Sequence, residues 1–528
     1  MPAYEVKHFS GGLSPWEDRG ILGAFKFAKN VNIRRKTDSL YCNQALDDEG
    51  ILGEIPSTSP SPSPSSSLSA SASRSLSASP SQTASFSVSA SRSPSASASP
   101  SSSVSPSASV SASVSASGGL TTIFRDLIRT WVESSTGFLY GFGSTGYIYR
   151  VDVDGHWVVV YKDPDGAIKG AEEGYTDDGR VWAIWTTDTK VKRKPLPGLS
   201  NWNDVETVAG DLVSATWHTC KQINGATQIG NGSNLALLGY DGSYTNNALD
   251  LIPGNIVKTL VERDGRIIIG TTRASDPDHG INAAIDSEVP LAQVGDDGEI
   301  FFANMFDSMP VKRFPGGGKV NPGGVCNEVK QANFFEWEEN ALSWIDKQSV
   351  GNLALFAVYG ADSGKGGVYS LGRKDKDKPF TMNLEYQLDA DELGAIVVFN
   401  GKTYVSYQEG SDFGVKATDP TTKATAVYEG LDWVGPLKGV SSILPWRMAE
   451  IFTAPMPSGT AIEFWYRMNK NGDFVQAKME TEISQFTTVG GQKATFLISA
   501  EGEIYEPRVV LIPSGNNSPE VYRIKSYF

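Results

Sequence analysis

Cysteine is scarce in this chain of 528 residues, where Cys42, Cys220 and Cys326 are far apart and odd in number. Such spacing gives no disulfide framework and favours a protein that is made and assembled in a reducing cytoplasm. Free cysteines usually behave as small buried hydrophobes, and we expect this of all three. The chain also starts without a basic segment followed by an apolar run, so no signal peptide is predicted.

Positive charge is in deficit, because 46 Lys and Arg residues stand against 60 Asp and Glu residues, for a formal net charge of −14. A nucleic-acid partner would require clustered Lys and Arg, so none is predicted. No apolar run has the length that crosses a bilayer, so membrane insertion is not predicted either. An acidic balance of this kind helps to keep a large β protein soluble.

Patterns that hold metals are also missing. Histidine occurs only four times, and His218 with Cys220 is the nearest approach to a ligand pair, because i and i+2 share one face of a strand. A metal site needs more converging ligands than this pair offers. Asp152–Gly155 imitates the start of a calcium loop, but Trp157 stands where that loop needs glycine, so a hairpin turn is the better interpretation. We therefore predict no metal and no other cofactor.

Catalytic motifs fail in a similar way. The glycine-rich segments 360–366 and 315–319 lack the spacing or the Ser/Thr of a phosphate loop, and we interpret both as ordinary loops. Residues 176–182 look like an Asp-box turn that is one residue short. No pair among the 60 carboxylates stands out as the two that a glycosidase needs. These observations predict a non-enzymatic protein without catalytic residues. A polysaccharide-cleaving enzyme is an alternative, ranked after the two functions given at the end of this section.

A strict two-residue repeat occupies positions 57–118. Every odd position from Ser57 to Ser117 is serine, except Thr83, and the even positions include seven prolines. This composition offers little apolar surface to offset the entropy of ordering, which favours a solvated low-complexity insertion. Because period two also matches the pleat of a strand, serines of several copies could stack through hydroxyl ladders. Glycosylation of the serines is a third alternative, and the sequence does not choose among them.

Region 119–430 contains repeated short strand patterns with hairpin signals. Asp-Gly or Asn-Gly pairs, which supply the positive φ angles of two-residue turns, punctuate it at 154–155, 165–166, 178–179, 241–242, 264–265, 297–298 and 400–401. Repeats of about 40–50 residues with four strands each are typical of propeller blades. We predict a β-propeller of five to seven blades here, with a Greek-key sandwich array as the alternative.

The two ends of the chain are also rich in strand patterns. Region 1–56 has an alternating stretch, Phe25–Ile33, but is too small for its own core, so it is expected to pair with strands further on. Region 431–528 has the length of one two-sheet sandwich, and Ala461–Arg467 and Phe474–Ala477 are predicted to face each other across a turn. The predicted fold is therefore all-β: a propeller followed by a small β-sandwich, with a serine-rich insertion.

Three features together resemble tail and nozzle-type proteins of tailed bacteriophages. They are the opening Phe9–Ser14 leading to Asn30–Arg35, the propeller blades that follow it, and the closing strands with Phe464–Arg467 and Ser518–Ile524. The Ser-Pro-Ser-Ala type of insertion is similar to insertions in other phage structural proteins. The chain is shorter than the nozzle pattern and adds the serine tract. The resemblance implies a structural component of the virion, made in the host cytoplasm, whose partners are other virion proteins and further copies of itself.

In that role the N-terminal strand is expected to add to a neighbouring sheet. The alternative function is a receptor- or glycan-binding protein of the virion surface. Exposed tryptophans stack against sugar rings, and Trp202, Trp337 and Trp344 lie in or near loop-like stretches; packing inside the blades is the competing interpretation of all three.

Overall fold

A computed structural model describes the fold for the greater part of the chain. The described residues are 3–9, 12–13, 24–33, 39–48, 120–130, 138–151, 156–175, 181–196, 202, 204–223, 226–251, 255–263, 266–273, 276–280, 291–294, 299–304, 307–313, 319–327, 354–372, 381–399, 401–434 and 443–528. Every regular element within them is a β-strand, as the sequence predicts. In these ranges no helix is present with the length and apolar character that would let it cross a membrane.

Six strands come from the N-terminal region: β1 (Ala3–Val6), β2 (Gly12–Leu13), β3 (Ala24–Lys29), β4 (Val31–Asn32), β5 (Leu40–Cys42) and β6 (Gln44–Asp48). The alternating stretch of the sequence is thus two strands, which Asn30 separates. Asn30 has a φ of 56°, in the left-handed region that asparagine tolerates better than most residues.

The central region contains 25 strands that run in sequence order through small antiparallel sheets. Blade 1 is β7 (Phe124–Thr130), β8 (Phe138–Gly143), β9 (Tyr147–Val151) and β10 (Trp157–Lys162), and blade 2 is β11 (Gly170–Tyr175), β12 (Val181–Thr186), β13 (Val191–Pro195) and β14 (Glu206–Ala209). Blade 3 is β15 (Cys220–Ile223), β16 (Ala226–Asn231), β17 (Asn234–Leu238) and β18 (Tyr244–Asp250), and blade 4 is β19 (Asn255–Arg263), β20 (Arg266–Arg273) and β21 (Asp276–Gly280). A further small sheet follows with β22 (Leu291–Val294), β23 (Glu299–Asn304) and β24 (Asp307–Arg313).

Two more blades complete the central region. Blade 5 is β25 (Lys319–Asn327), β26 (Ala354–Tyr359), β27 (Gly367–Gly372) and β28 (Thr381–Gln387), and blade 6 is β29 (Glu392–Phe399), β30 (Lys402–Glu409) and β31 (Asp412–Lys423), with β6 as its fourth strand. The first strands of the six blades contact one another in the order β7, β11, β15, β19, β25 and β29, and β29 contacts β7 again. This closed order among the described strands is that of a six-bladed propeller.

Separate apolar clusters fill the spaces between neighbouring blades. Trp157 of blade 1 shares a cluster with Val397 of blade 6, whereas Trp185 of blade 2 packs with Phe142 of blade 1. Other clusters join blades 2 and 3, blades 3 and 4, and blades 5 and 6. Blades 1, 2, 3 and 6 thus contribute apolar residues to shared clusters, and a strand that is buried on both faces is more continuously apolar than a half-exposed one.

The predicted Asp-Gly turns are observed where the structure describes them. Gly242 has a φ of 85° in the turn between β17 and β18, and Gly401 has a φ of 75° between β29 and β30. Gly166 has a φ of 92° but lies between blades 1 and 2, so it begins a new blade and not a hairpin. The pairs at 154–155, 178–179, 264–265 and 297–298 lie outside the described residues.

The C-terminal region forms a sandwich of two sheets. Its strands are β32 (Ala426–Gly430), β33 (Trp433–Val434), β34 (Leu444–Thr453), β35 (Ala461–Met468), β36 (Val475–Gln476), β37 (Lys478–Met479), β38 (Gln485–Phe486), β39 (Lys493–Gly502), β40 (Ile504–Ile512) and β41 (Glu520–Tyr527). Strands β35 and β36 pair with Trp465 opposite Gln476, so the predicted hairpin is confirmed. Strand β32 pairs with β40 and so belongs to the sandwich, although it precedes the sequence-based boundary at 430.

The N-terminal strands connect the propeller to the sandwich. Strand β3 lies between β28 of blade 5 and β32 of the sandwich, which makes one continuous 12-stranded sheet. Strands β1 and β5 pair with β41 in the second sheet of the sandwich, and β6 pairs with β31 to complete blade 6. The N-terminal region therefore pairs with later strands, as expected from its size, and in this structure its partners lie within the same chain.

A single apolar core accompanies this continuity. It contains Phe356 and Leu384 of blade 5, Phe25 of β3, and Trp446 and Tyr505 of the sandwich. Trp446 stacks on Tyr505 with ring centroids 3.9 Å apart and an interplanar angle of 15°. Because this core combines residues from three regions of the sequence, the sandwich shares its core with blade 5 and the N-terminal strands.

Candidate assembly surface

Two buried carboxylates lie where β3, β33, β35 and β40 meet, and we call them with their partners the junction cluster. The Glu506 side chain, which is 1% exposed, accepts hydrogen bonds from Lys26 and from the guanidinium of Arg467 at 2.5 and 3.1 Å. The Asp432 side chain is 4% exposed and accepts from Lys26 at 3.2 Å and from Lys470 at 2.7 Å. Lys26 thus ties the N-terminal strand β3 to both carboxylates.

The charges of the junction cluster depend on one another. Burial acts to raise the pKa of Asp432, but hydrogen bonds from Lys470 and Lys26 outweigh it and hold that pKa below its ordinary value. The Glu506 carboxylate in turn raises the pKa of Arg467. Removing one cation would leave a buried carboxylate undercompensated, which is a strongly unfavourable state. The cluster therefore fixes the N-terminal strand in the sandwich by charge as well as by backbone pairing.

The second sheet of the sandwich presents one face to solvent, and we call it the outer sheet face. Alternate residues of its strands point into the core, among them Ala449, Ile451, Phe496 and Ile524. The residues between them form the outer sheet face: Glu5 of β1, Met448, Glu450 and Phe452 of β34, Lys478 of β37, Lys493, Thr495, Leu497 and Glu501 of β39, and Arg523, Lys525 and Tyr527 of β41. Leu497 is 40% exposed, which is unusual for a large apolar side chain.

Aromatic rings and cations are interleaved on the outer sheet face. Phe452 lies between Lys493 and Arg523, whose charged groups are 5.5 and 4.8 Å from the ring centroid. Lys525 lies 4.8 Å from the centroid of the Tyr527 ring. Cation–π contacts of this kind preorganise long side chains on a surface. Aromatic residues, Met and Arg are also the types that protein–protein interfaces prefer.

Glu450 anchors the middle of this face. Its carboxylate accepts a hydrogen bond from the Tyr527 hydroxyl at 2.6 Å and forms an ion pair with Lys493 at 2.5 Å. Burial acts to raise the pKa of Glu450, but Lys493 and the Tyr527 hydroxyl hold it below its ordinary value. At the strand positions of the face, the four cations Lys478, Lys493, Arg523 and Lys525 accompany three carboxylates, Glu5, Glu450 and Glu501. The face thus has a small excess of cations in a chain whose net charge is −14.

Of the three tryptophans considered for glycan stacking, only Trp202 is among the residues that the structure describes. Trp202 is 5% exposed and stacks on Tyr161 with centroids 5.6 Å apart, inside the cluster between blades 1 and 2. Its ring therefore belongs to the packed core, as the blade-packing interpretation expects, and offers no open face to a sugar. Trp337 and Trp344 lie outside the described residues, as do Asp152–Gly155 and positions 176–180.

The weak metal pair has a structural role. His218 is fully buried, and its two ring nitrogens lie 2.8 Å from the Gly230 carbonyl and 3.0 Å from the Asp188 carbonyl. Burial lowers the pKa of His218. The Cys220 thiol donates a hydrogen bond to the His218 backbone carbonyl, so the two side chains do not converge on a common point. Among the residues that the structure describes, no group of three or more His, Cys, Asp or Glu side chains is placed to hold a metal ion.

The remaining sequence features are also structural where they are described. Cys42 and Cys220 are buried free thiols, and burial raises the pKa of Cys42 to about 11. The glycine-rich segment 360–366 connects β26 to β27, and its Gly364 and Gly366 amides donate to the Asp389 carboxylate at 2.8 and 3.2 Å. These amides are therefore already paired with a carboxylate of the chain, which fits the interpretation as a loop.

No protein-family model matches the chain, and no curated protein matches it. Solved structures similar to it include an exo-β-1,3-galactanase from Phanerochaete chrysosporium, at 9% identity over 78% of this chain and 99% of that chain with a TM-score of 0.26. A putative gluconolactonase has 12% identity over 57% of this chain and 90% of that chain, with a TM-score of 0.32. The WD40 propeller domain of Doa1 has 12% identity over 57% of this chain and 97% of that chain, with a TM-score of 0.30.

The activities in these names belong to those proteins. The absence of catalytic activity in this chain stays a prediction from the sequence.

Proposed function

We propose that this chain is a non-enzymatic structural component of a phage virion, located in its tail, and that it acts by protein–protein assembly. The observation that carries the proposal is the joining of propeller and sandwich through β1, β3, β5 and β6. Domains of one chain move relative to each other unless their interface is large and apolar. A shared sheet, a shared core and the junction cluster oppose such motion here, and a fixed geometry suits a subunit of a symmetric assembly.

The outer sheet face supports the same proposal. It offers the exposed Leu497 and the half-buried aromatic rings of Phe452 and Tyr527 together with cations, on the face of the sheet that points away from the core. Interfaces concentrate their binding energy in aromatic and Arg residues that lose their contact with water on association. The resemblance of the terminal segments to phage tail proteins supports a role for such an interface in a virion.

Quantitative mass spectrometry of purified virions tests the proposal. Particles of the phage that encodes the chain should contain its peptides in amounts comparable to those of other tail proteins, after banding and high-salt washing. Peptides found only in the host lysate, and absent from washed particles, would contradict a structural role. A purified chain that shortens host capsule or lipopolysaccharide would contradict the non-enzymatic part of the proposal.

A further inference from the structure

We infer that the outer sheet face of one copy docks on the outer edge of blade 3 of a second copy. This inference rests on the proposed function and names the partner: a second copy of this chain. The two surfaces are different patches of the molecule, so the contact is head-to-tail. A contact of this type generates a ring when its rotation closes and a filament when it does not.

The outer edge of blade 3 is an open strand edge in the described part of the chain. Its last strand, β18, is hydrogen-bonded only to β17 and is largely exposed along its length. Three large apolar side chains project from this region: Val213 is 55% exposed, Tyr240 51% and Leu249 39%. Exposed apolar residues along an open strand edge are typical of a surface that another protein covers.

Hydrogen bonds join the segment that carries Val213 to β18. The Asn246 side chain donates to the Asp211 carbonyl at 3.2 Å, and the Val213 amide donates to Asn231, which in turn donates to Asn246 at 2.6 Å. The segment that carries Val213 is thereby held against the middle of β18. We call this surface, from Asp211 to Val213 and from Tyr240 to Asp250, the blade 3 edge.

The blade 3 edge is acidic. Asp211, Asp241 and Asp250 are exposed on it, and its two stretches contain no Lys or Arg. Hydrogen bonds from the Ser243 side chain and backbone lower the pKa of Asp241, so this carboxylate stays ionised at neutral pH. The Asn247 amide donates to Asp250 at 2.7 Å. Arg193, near Gly242, is paired with Glu206 at 2.8 Å and lies over the Trp182 ring, so its charge is engaged within the blade.

The two surfaces are complementary in charge and similar in chemistry. The outer sheet face carries an excess of cations around Phe452 and Leu497, and the blade 3 edge carries carboxylates around Tyr240 and Leu249. Opposite charges steer association and fix its register, whereas like charges between two copies of either surface disfavour the symmetric alternatives. A partner with the chemistry of the blade 3 edge is therefore available on every other copy of the chain.

Charge reversal tests this inference. K478E/K525E reverses the charges of the exposed Lys478 and the half-buried Lys525 on the outer sheet face, neither of which bonds the buried Glu450. D211K/D250K reverses two charges of the blade 3 edge. Sedimentation velocity should show at least a tenfold weaker self-association for each variant. K365E, which changes a lysine on the loop of blade 5, is the matched control and should associate like the wild type. Thermal unfolding of all variants checks that each one is folded.

Mixing supplies the decisive result. In an equimolar mixture of the two variants, and in the chain that carries all four substitutions, opposite charges face each other again, so association should return. Wild-type assembly that neither variant weakens, or weakening that the mixture does not reverse, would overturn the docking inference alone. A wild-type chain that stays monomeric at every concentration and at low salt would overturn the inference together with the self-assembly in the proposed function.

Discussion

The propeller and the sandwich differ in how their sheets are held together. In blades 1 to 4, each pair of neighbouring blades has its own apolar cluster, built from residues near in sequence. The sandwich has one core, which combines residues from 9 to 42, blade 5 residues and the C-terminal strands. Blades 1 to 4 are therefore joined by local contacts, whereas the sandwich depends on contacts between residues more than 400 positions apart. The comparison indicates that damage to the N-terminal region spreads through the molecule, while damage to a blade stays near its cluster.

Deleting residues 1–48 should have the largest effect. It removes β3 from the joint sheet, β1 and β5 from the sandwich and β6 from blade 6, and it exposes the apolar core. We expect an aggregated or partly unfolded chain without a cooperative thermal transition, measured by circular dichroism and size exclusion. A soluble deletion variant with a wild-type melting curve would show that the two regions do not depend on these strands.

Truncating one large aromatic residue in each region tests how far the damage extends from each core. Trp446→Ala and Trp157→Ala each remove a buried ring and should each cost about 3–5 kcal/mol of unfolding free energy. The part of the molecule that each substitution destabilises should differ, because Trp446 belongs to the core shared with blade 5. Hydrogen exchange should rise in the sandwich and blade 5 for the first variant, and in blades 1 and 6 for the second. A rise in hydrogen exchange over the same regions in both variants would contradict the difference between propeller and sandwich.

Arg467→Met tests the junction cluster at a smaller scale. The change leaves Glu506 buried with Lys26 as its remaining cation, and because Arg467 is partly exposed we expect a loss of about 2 kcal/mol. Denaturant titration measures this loss. Arg193→Met is the control, since its partner Glu206 is exposed and its loss should be within about 0.5 kcal/mol.

Acid should weaken the junction through Asp432. Its pKa is lower in the folded chain than in the unfolded one, so its contribution to stability is present above the unfolded pKa and is lost as pH falls through the folded pKa. The melting temperature should therefore fall below roughly pH 5, and Asp432→Asn should flatten this part of the curve. An identical pH dependence in the variant would remove Asp432 from the explanation.

Excising residues 51–119 should have the smallest effect. Asp48 pairs with Lys416 and Leu120 with Phe413 on the same strand β31, so two linking residues, Glu49 and Gly50, would bring Leu120 opposite Phe413 in register. We expect a melting temperature within about 2 °C of the full chain. Excision of 44–119, which also removes β6, should be clearly destabilising; equal stability of the two shortened chains would contradict the role of β6 in blade 6.

Local features of the fold were predictable from the sequence because their physics is local. Turns at Gly242 and Gly401 follow from glycine's tolerance of positive φ, and the alternation in Phe25–Ile33 predicts strands. The partners of β3 and β6 are not predictable in this way, since they lie hundreds of positions away and pair through backbone groups that all residues share. The order of the strands in the chain also hides the use of β6 as the last strand of blade 6.

The candidate surface was harder to predict than the fold. Alternation along β34, β39 and β41 shows that one face is buried, but only the assembled sheet brings Phe452, Lys493 and Arg523 together. The aromatic residue singled out from its loop-like surroundings, Trp202, lies instead between Tyr140, Tyr161 and Trp185. Local sequence does not reveal this burial, because neighbouring blades supply the covering residues.

Negative-stain microscopy of the purified full-length chain, beside the chain that lacks residues 51–119, tests most directly whether this protein assembles. We expect rings or tubes from both chains, because the outer sheet face and the blade 3 edge are present in each. Monodisperse single particles from both chains, when thermal unfolding shows that they are folded, would contradict self-assembly.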